Sequence, residues 1–167
     1  VVQHMEKAFQ AYHARGKELV QEPVRFVLGG IGSPAIEITG QDMYWTPESK
    51  GGQPFGQSAP RDLMQAHGPY KVRIARDGKY KFTLSRYPLY TNMSMSIGGR
   101  KFKQDHIIRK VRISIAGKTR EKVVMPEDTR ATFLINLKVG DADLDTALLG
   151  DGKDGIAYFV TAEYLGK

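Results

Sequence analysis

The second half of the chain is dominated by alternation of apolar and polar residues. Residues 70–76 and 79–85 alternate one by one on either side of Asp77-Gly78, a dipeptide typical of tight turns, and so predict a β-hairpin. Glycine and proline separate the later extended runs, which are predicted at residues 93–97, 110–116, 118–125, 129–139 and 156–165. Several short strands at this spacing favour a sandwich or a barrel.

Each alternating strand is expected to have one face in water and one face in the core. The basic residues Lys71, Arg73, Lys79 and Lys81 are expected on the wet face. The dry face is predicted to hold Val72, Ile74, Tyr80, Phe82, Leu84, Val111, Ile113, Phe133, Ile135, Leu137, Tyr158 and Val160.

The first forty residues show a helical pattern of apolar residues followed by two short extended runs. Apolar residues recur at helical spacing over residues 1–20, which predicts an amphipathic helix that ends at Gly16 or soon after. The apolar stripe of this helix is formed by Val1, Met5, Ala8, Phe9 and Tyr12. Strands are predicted at residues 23–28 and 35–39.

Residues 40–68 hold several glycines and prolines around Tyr44, Trp45 and Phe55. Neither the helical spacing nor the strand alternation of apolar residues continues through this segment. A long loop of this kind is more often functional than idle.

These patterns predict a mainly β fold: an antiparallel β-sandwich, jelly-roll-like, over residues 21–167, with one N-terminal helix and the long aromatic loop 40–68. A chain of 167 residues suits a single domain, 1–167. Because it starts at Val1 and not at a methionine, a fragment or a processed chain is expected.

The formal net charge of +7 favours an anionic partner, because a basic surface attracts phosphates, sulfates and acidic glycans. A solvated basic surface without such a partner stays open, since the basic residues alternate along strands and form no run. Nucleic acid is not expected, as the chain has no basic helix, zinc-ligand spacing or stacked-aromatic motif. A membrane is not expected either, because no apolar stretch approaches the ~20 residues that span one.

The residues of a catalytic centre do not assemble in this sequence. The chain has no cysteine, which removes disulfides, thiolate metal sites and cysteine nucleophiles. Its histidines, His4, His13, His67 and His106, lie far apart and show no paired-ligand spacing, so no zinc site is predicted. This chain alone is therefore not expected to be an enzyme.

An acidic stretch from Asp141 to Asp145, followed by Asp151 and Asp154, places several oxygen ligands close together, as a calcium site needs. The spacing of an EF-hand is absent, however. Ordinary acids of turns are favoured over a cation site, and no metal is predicted.

One cluster combines aromatic rings with polar groups in the manner of a sugar-binding surface. Aromatic faces pack on sugar C–H groups, while Arg, Asp and Gln side chains satisfy hydroxyls or an anionic substituent. The candidate substrate-binding residues are Asp42, Tyr44, Trp45, Gln57, Arg61 and His67. The alternative, in which Trp45 anchors the loop onto the sandwich, stays open.

An ordered set of segments resembles the region after the catalytic α/β domain in bacterial arylsulfatase-like enzymes of the formylglycine-dependent sulfatase family. There a G-x-W-x-V strand, a D-G-x-Y hairpin, an L-R-R-W-P segment and an A-Y-Y-V terminal strand recur in the same order. The matching segments cover nearly the whole chain and are Ala11-Tyr12, Ile38 to Asp42, Gly68 to Val72, Arg76 to Tyr80, Leu84 to Pro88 and Ile156 to Ala162. Departures are Ser85, where the family often has Arg, and Tyr70 and Tyr87, where it often has Trp.

The resemblance implies a non-catalytic C-terminal β-sandwich that packs on the catalytic domain of a parent sulfatase and helps to bind sulfated carbohydrate. Catalysis is not carried over, because the family's C/S-x-P-S/A-R motif is absent: Ser33-Pro34-Ala35 lacks the proline spacing and the arginine. The resemblance also implies that calcium belongs to the parent's larger domain, and that the parent acts in the periplasm or outside the cell. An independent carbohydrate-binding module and a structural or assembly domain are the alternatives.

Overall fold

The computed structural model of the chain describes residues 2–19, 23–45, 49–51, 56–97 and 106–167. It opens with helix α1 (Val2–Leu19), which continues through Gly16 instead of ending there. The outermost residues of the predicted helix, 1 and 20, lie outside the described part. The apolar stripe of α1 is uncovered: Met5, Phe9 and Tyr12 are 64%, 66% and 78% exposed.

The other regular elements of the described part are strands, two 3₁₀ turns and one further short helix, α2 (Ser58–Arg61). The strands are β1 (Phe26–Leu28), β2 (Ala35–Thr39), β3 (Lys50–Gly51), β4 (Ala66–His67), β5 (Tyr70–Ile74), β6 (Gly78–Ser85), β7 (Ile108–Ile115), β8 (Lys118–Val123), β9 (Ala131–Leu137), β10 (Gly140–Gly150), β11 (Asp154–Gly155) and β12 (Phe159–Gly166). No described helix is both long and apolar enough to cross a membrane.

The long strands form two sheets that face each other. Sheet I has the order β1-β5-β10-β7-β8, with β11 paired to β10, and sheet II has the order β2-β12-β6-β9. The chain crosses from one sheet to the other repeatedly, for example from β5 to β6 and from β9 to β10. This is the predicted jelly-roll-like β-sandwich, with one departure from antiparallel order: β1 runs parallel to β5.

One hydrophobic core lies between the two sheets. Every residue predicted for the dry face is buried, from Val72 on β5 to Val160 on β12. Burying one such aliphatic or aromatic side chain contributes about 1.5–3 kcal/mol, so this shared core holds sheet I against sheet II. On the wet face, Arg73 and Lys79 are exposed, while Lys71 and Lys81 are half-buried.

The turn at Asp77-Gly78 carries the chain from sheet I to sheet II and does not close a hairpin. β5 pairs with β1 and β10, whereas β6 pairs with β12 and β9. The Asp77 carboxylate holds this crossing, since it accepts hydrogen bonds from the Val139 amide (2.7 Å) and the Lys138 ammonium (2.9 Å). The predicted hairpin is therefore wrong, because alternation identifies two strands but not the partner of each.

A hairpin with a two-residue loop lies instead at Ala116-Gly117, between β7 and β8. Both loop residues have positive φ, 48° and 72°. A type I′ turn requires this geometry, and glycine adopts it at no steric cost.

The acidic stretch lies in a strand, so the prediction of turn acids is wrong for Asp141 to Asp145. β10 is the middle strand of sheet I, between β5 and β7. Asp141 and Asp143 contact the basic residues opposite them on β5, with Arg73 Nε 2.7 Å and Lys71 Nζ 2.8 Å from the carboxylates. Such cross-strand pairs offset the weak strand preference of aspartate.

Two further predictions are corrected. Residues 93–97 form turns and no strand, and the Met95 amide donates to the Asp128 carbonyl (2.8 Å). The loop 40–68 contains regular pieces, namely a 3₁₀ turn at Gly40–Asp42, helix α2 and the paired strands β3 and β4. Residues 46–48 and 52–55, which include Phe55, lie outside the described part.

Candidate functional site

A cleft of about 450 Å³ opens at one end of sheet II. The end of β2, the start of α2, the segment after β6 and the start of β12 surround it. The described residues that line this aromatic cleft are Thr39, Gly40, Gln41, Gly56, Gln57, Pro60, Tyr87, Pro88, Tyr90, Thr91, Tyr158 and Phe159.

The strand register of sheet II brings these segments together. Phe159, at the start of β12, lies opposite Thr39 on β2 and opposite Ser85 on β6. The Gly40 amide donates a hydrogen bond to the Tyr158 carbonyl (2.8 Å) just beyond the last strand pair. Because neighbouring strands lie about 5 Å apart, the three strand ends form a continuous floor about 10 Å wide.

Two buried tyrosines line the inner part of the aromatic cleft. The Tyr87 hydroxyl donates to the Ile97 carbonyl (2.5 Å), and the Tyr158 hydroxyl donates to the Met64 carbonyl (2.7 Å). Burial raises the pKa of both phenols above the ordinary value of 10.0. Both hydroxyls are therefore neutral and tied to the main chain, so the rings have a fixed orientation.

Arg86 lies beside Tyr87 in the chain and is fully buried, with 0% exposure. Its Nε donates to the Pro60 carbonyl (2.7 Å), Nη2 to the Arg61 carbonyl (2.9 Å) and Nη1 to the Met95 carbonyl (2.9 Å). The guanidinium carbon lies 5.3 Å from the centroid of the Tyr87 ring. Burial lowers the pKa of Arg86, yet a guanidinium stays charged in proteins. The buried guanidinium of Arg86 thus connects three segments: helix α2, the turns around Met95 and the end of β6, next to Tyr87.

The outer part of the aromatic cleft holds groups that water reaches. Tyr90 is 89% exposed and sits in a short 3₁₀ turn that follows Pro88. Gln41 and Gln57 are exposed on two other lining segments. Each glutamine amide carries both hydrogen-bond donors and an acceptor, and the Tyr90 ring presents an apolar face.

This set of groups is suited to binding an uncharged polar ligand. The described lining residues include no Asp, Glu, His, Lys or Arg side chain. The arrangement can pack aromatic rings on an apolar ligand face and exchange hydrogen bonds with hydroxyls.

Of the six residues predicted from the sequence, Gln57 lines the aromatic cleft. Asp42 lies next to Gln41, but its carboxylate has a local role: Oδ2 accepts hydrogen bonds from the Thr39 amide (2.7 Å) and hydroxyl (2.9 Å). That contact caps the 3₁₀ turn at Gly40–Asp42 and so shapes one wall of the cleft.

Arg61 contributes its carbonyl to Arg86, while its side chain donates to the neighbouring carboxylate of Asp62 through Nε (3.0 Å) and Nη2 (2.9 Å). This pairing raises the pKa of the Arg61 guanidinium. The carboxylate of Asp62 therefore competes for Arg61 with any ligand.

The other three predicted residues lie elsewhere. The Tyr44 ring is 5.3 Å from Lys71 Nζ, on the side of sheet I. Trp45 is 36% exposed. His67 lines a separate, smaller groove together with Arg112 and Asp145. The structure thus divides the predicted sugar-binding cluster among different surfaces.

Most of the aromatic cleft was not predicted. Tyr87 and Pro88 belong to the Leu84 to Pro88 segment that carried the family resemblance, and Phe159 belongs to the terminal strand. Tyr90 offered a weaker signal, an aromatic residue beside Thr91 in a stretch with no strand period. The sequence places these residues far apart, and only the register of sheet II joins them.

Calcium was expected in the parent enzyme and not in this chain. Within the described ranges, no group of three or more His, Asp or Glu side chains is arranged to hold a metal ion.

No protein-family model matches the chain, and no curated protein matches it. Solved structures with some likeness include a Podospora anserina β-(1,4)-mannanase, described as GH26-CBM35, at 8% identity and a TM-score of 0.44. The match covers 80% of this chain and 28% of the mannanase chain. The C-terminal CBM6 of LamC, a marine laminarinase from Zobellia galactanivorans, has 11% identity and a TM-score of 0.40, with 77% of this chain and 98% of that chain covered. Identities and TM-scores this low carry no inference about function.

Proposed function

We propose that this chain is a non-catalytic carbohydrate-binding domain and that the aromatic cleft is its binding site. The observation that supports this most directly is Tyr90, an aromatic ring 89% exposed at the rim of a cleft whose floor is fixed. A large exposed ring beside hydrogen-bonding amides fits a ligand with an apolar face and many hydroxyls, and a sugar has both.

The dimensions and polarity of the cleft support the same ligand class. Its volume of about 450 Å³ lies in the usual range for small-ligand sites, about 300–1,000 Å³. The described lining residues carry no charged side chain, so the sugar units held there are expected to be neutral. The main-chain contacts of Arg86 and Tyr87 reduce the ordering that binding would otherwise require.

Titration with soluble oligosaccharides tests the proposal. A panel of neutral and sulfated oligosaccharides is titrated into the chain by calorimetry, and the best ligand is then titrated into Tyr90→Ala and Trp45→Ala. We expect Tyr90→Ala to weaken binding about tenfold, which is about 1.4 kcal/mol, because the ring loses its contact with the sugar face. Trp45→Ala is expected to change the affinity less than twofold.

The two substitutions are matched, since each removes one exposed aromatic ring and only Tyr90 lines the cleft. The opposite result, a large loss with Trp45→Ala and none with Tyr90→Ala, would move the binding surface to the loop around Trp45. Equal binding by both variants, or no binding across the panel, would contradict a carbohydrate-binding cleft.

A second candidate function is the one implied by the sulfatase resemblance: a C-terminal domain that packs on the catalytic domain of a parent enzyme. The uncovered apolar stripe of α1, with Met5, Phe9 and Tyr12 exposed, favours it, because such a face normally has a partner. In that case the parent would supply calcium and catalysis, and would act in the periplasm or outside the cell. This chain alone should then hydrolyse no aryl sulfate, and a C/S-x-P-S/A-R motif should precede Val1 in the gene.

Hydrogen exchange distinguishes this candidate from the first. When the catalytic domain is present, amide protons of α1 should exchange more slowly if the helix packs on it. Unchanged exchange in α1 would reject the second candidate without affecting the first, because the aromatic cleft lies on sheet II.

A further inference from the structure

A second concave surface lies where the two sheets end. β8 is the last strand of sheet I and β9 is the last strand of sheet II. A groove of about 180 Å³ lies between them, and its lining residues are Lys79, Lys118, Arg120, Leu134, Ile135 and Asn136. These six residues form the basic groove.

The register of β8 directs two cations into the basic groove. Lys118 lies opposite Ile115 and Arg120 lies opposite Ile113 on β7, and both isoleucines are buried in the core. Residues directly opposite each other share a face, so Lys118 and Arg120 leave β8 on its core side. All of β8 is nevertheless exposed, and Lys118 Nζ reaches the Asn136 carbonyl on β9 (2.7 Å).

The third cation comes from sheet II. Lys79 lies on β6 directly opposite Asn136, and it is exposed. Residues from both sheets therefore line one small space. Within the described part of the chain, none of the three cations of the groove forms an ion pair with a carboxylate, and Arg120 Nη1 donates to the Thr119 carbonyl (2.9 Å).

Several other basic residues on the two sheets and their connections form ion pairs with carboxylates. Lys71 contacts Asp143 and Arg73 contacts Asp141 on the outer face of sheet I, at 2.8 Å and 2.7 Å. The remaining pairs of this kind are Arg25 with Asp141, Lys81 with Glu163, Arg109 with Asp151, Lys110 with Glu121, and Lys138 with Asp77. The basic groove thus concentrates part of the net charge of +7 at a concave point.

We propose that the basic groove binds one tetrahedral oxyanion, a sulfate or phosphate ester group carried by a larger ligand. Two ammonium groups and one guanidinium favour an anion with several oxygens, since each supplies charged hydrogen-bond donors. A volume of about 180 Å³ is below that of ordinary small-molecule sites and suits a single substituent. The proposal does not depend on whether the aromatic cleft binds sugar.

Inward-pointing charges on an edge strand have another known use, because they prevent two sheets from joining edge to edge. That use needs the charges on β8 but no anion. The two explanations predict different results with sulfate, and the experiment is designed to distinguish them.

The experiment is an NMR titration of the whole chain with sodium sulfate, with sodium chloride at equal ionic strength as the reference. We expect saturating shifts of the backbone amides of residues 118–120 and 134–136 with sulfate and none with chloride. The double variant Lys118→Ala/Arg120→Ala should lower the sulfate affinity at least tenfold. Lys122→Ala removes one positive charge from the same exposed strand outside the groove lining, and its sulfate affinity should stay within twofold of that of the unsubstituted chain.

Glucose 6-sulfate and glucose 6-phosphate, titrated in the same way, identify the source of the group. Tighter binding of either ester than of glucose supports the proposal, and the preferred ester names the ligand chemistry. Shifts that are the same with sulfate and chloride, or an unchanged sulfate affinity in the double variant, would overturn it. The proposal would also be overturned if the unsubstituted chain bound no sulfate and the double variant self-associated. That result would assign the cations to edge protection alone.

Discussion

The aromatic cleft and the basic groove lie at opposite ends of β6 and are built in contrasting ways. Ser85 ends the strand beside the cleft and Lys79 begins it beside the groove, about 20 Å away at the usual rise per residue. Behind the cleft, the cation Arg86 is buried and bonded to carbonyls, and the exposed groups that line the cleft are neutral. In the groove, the cations are at the surface and no described carboxylate pairs with them. The first surface depends on a fixed shape, whereas the second depends on charge.

Loss of the buried cation should produce the largest effect. Arg86→Met keeps an apolar side chain of similar length but leaves the carbonyls of Pro60, Arg61 and Met95 without their donor. We expect a loss of about 3–5 kcal/mol in the free energy of unfolding, measured by urea denaturation. Glycan binding at the cleft should fall sharply, whereas sulfate binding in the groove should persist in the molecules that remain folded.

Arg61→Met is the matched control, because it removes a neighbouring guanidinium whose side chain contacts Asp62 at the surface. Its urea midpoint should stay close to that of the parent chain. If Arg86→Met were equally mild, the carbonyl contacts of Arg86 would not be what holds the cleft together.

Alkaline pH should destabilise the folded chain through the two buried tyrosines of the cleft. Burial raises the pKa of Tyr87 and Tyr158 above 10.0, so in the folded state both stay protonated at a pH where the unfolded chain ionises. Their contribution to stability is complete below pH 10 and is lost as the pH rises above that value, by up to about 1.4 kcal/mol per pH unit for each tyrosine. Urea denaturation between pH 8 and 11 measures this slope.

Tyr158→Phe should reduce the alkaline slope, because the substituted ring has no proton to lose. Tyr90→Phe is the matched comparison, since it removes the same hydroxyl group from an exposed ring at the rim of the cleft. An unchanged slope in Tyr158→Phe would show that this phenol ionises equally in the folded and unfolded states.

The difference between the two surfaces also explains what the sequence could predict. Alternation in residues 70–85 and 131–137 identified the dry face correctly, because a period of two depends on the residues themselves. The pairing of β5 and β6 was predicted wrongly, because an Asp-Gly turn fits both a hairpin and a crossing between sheets. Sheet order depends on contacts distant in the sequence, such as Asp77 with Val139.

Neither surface could be located by residue type alone. An arginine in the Leu84 to Pro88 segment is expected at the surface, since arginine is seldom fully buried, yet Arg86 is at 0% exposure. Lys118 and Arg120 were recognised as strand residues, but their convergence with Lys79 follows from the meeting of two sheet edges. Of the candidate residues in the sugar-binding hypothesis, Gln57 lines the cleft, and Tyr90 was not among them because the loop 40–68 supplies only one side of the cleft.

A substitution in either surface should lower the affinity for the ligand of that surface about tenfold and leave the affinity for the other ligand nearly unchanged. Tyr90→Ala should weaken glycan binding and leave sulfate binding within twofold, and Lys118→Ala/Arg120→Ala should do the reverse. The distance of about 20 Å along β6 supports this independence, because sites that share no contacts usually behave additively. Calorimetry with each ligand on each variant gives the four affinities, and a crossed effect larger than about threefold would show that the surfaces are coupled.

Salt should have the smallest effect of the changes considered. It should lower the affinity of the basic groove for its ligand and leave that of the aromatic cleft nearly unchanged. Raising the ionic strength from about 0.02 M to about 0.2 M shortens the Debye length from roughly 20 Å to below 10 Å. Sulfate affinity in the basic groove should then fall about three- to tenfold, because charge supplies the attraction there. A neutral oligosaccharide in the aromatic cleft should keep its affinity within about twofold, since no described lining side chain is charged. An equal salt dependence of both ligands, measured by titration at each ionic strength, would mean that the two surfaces are not distinguished by charge.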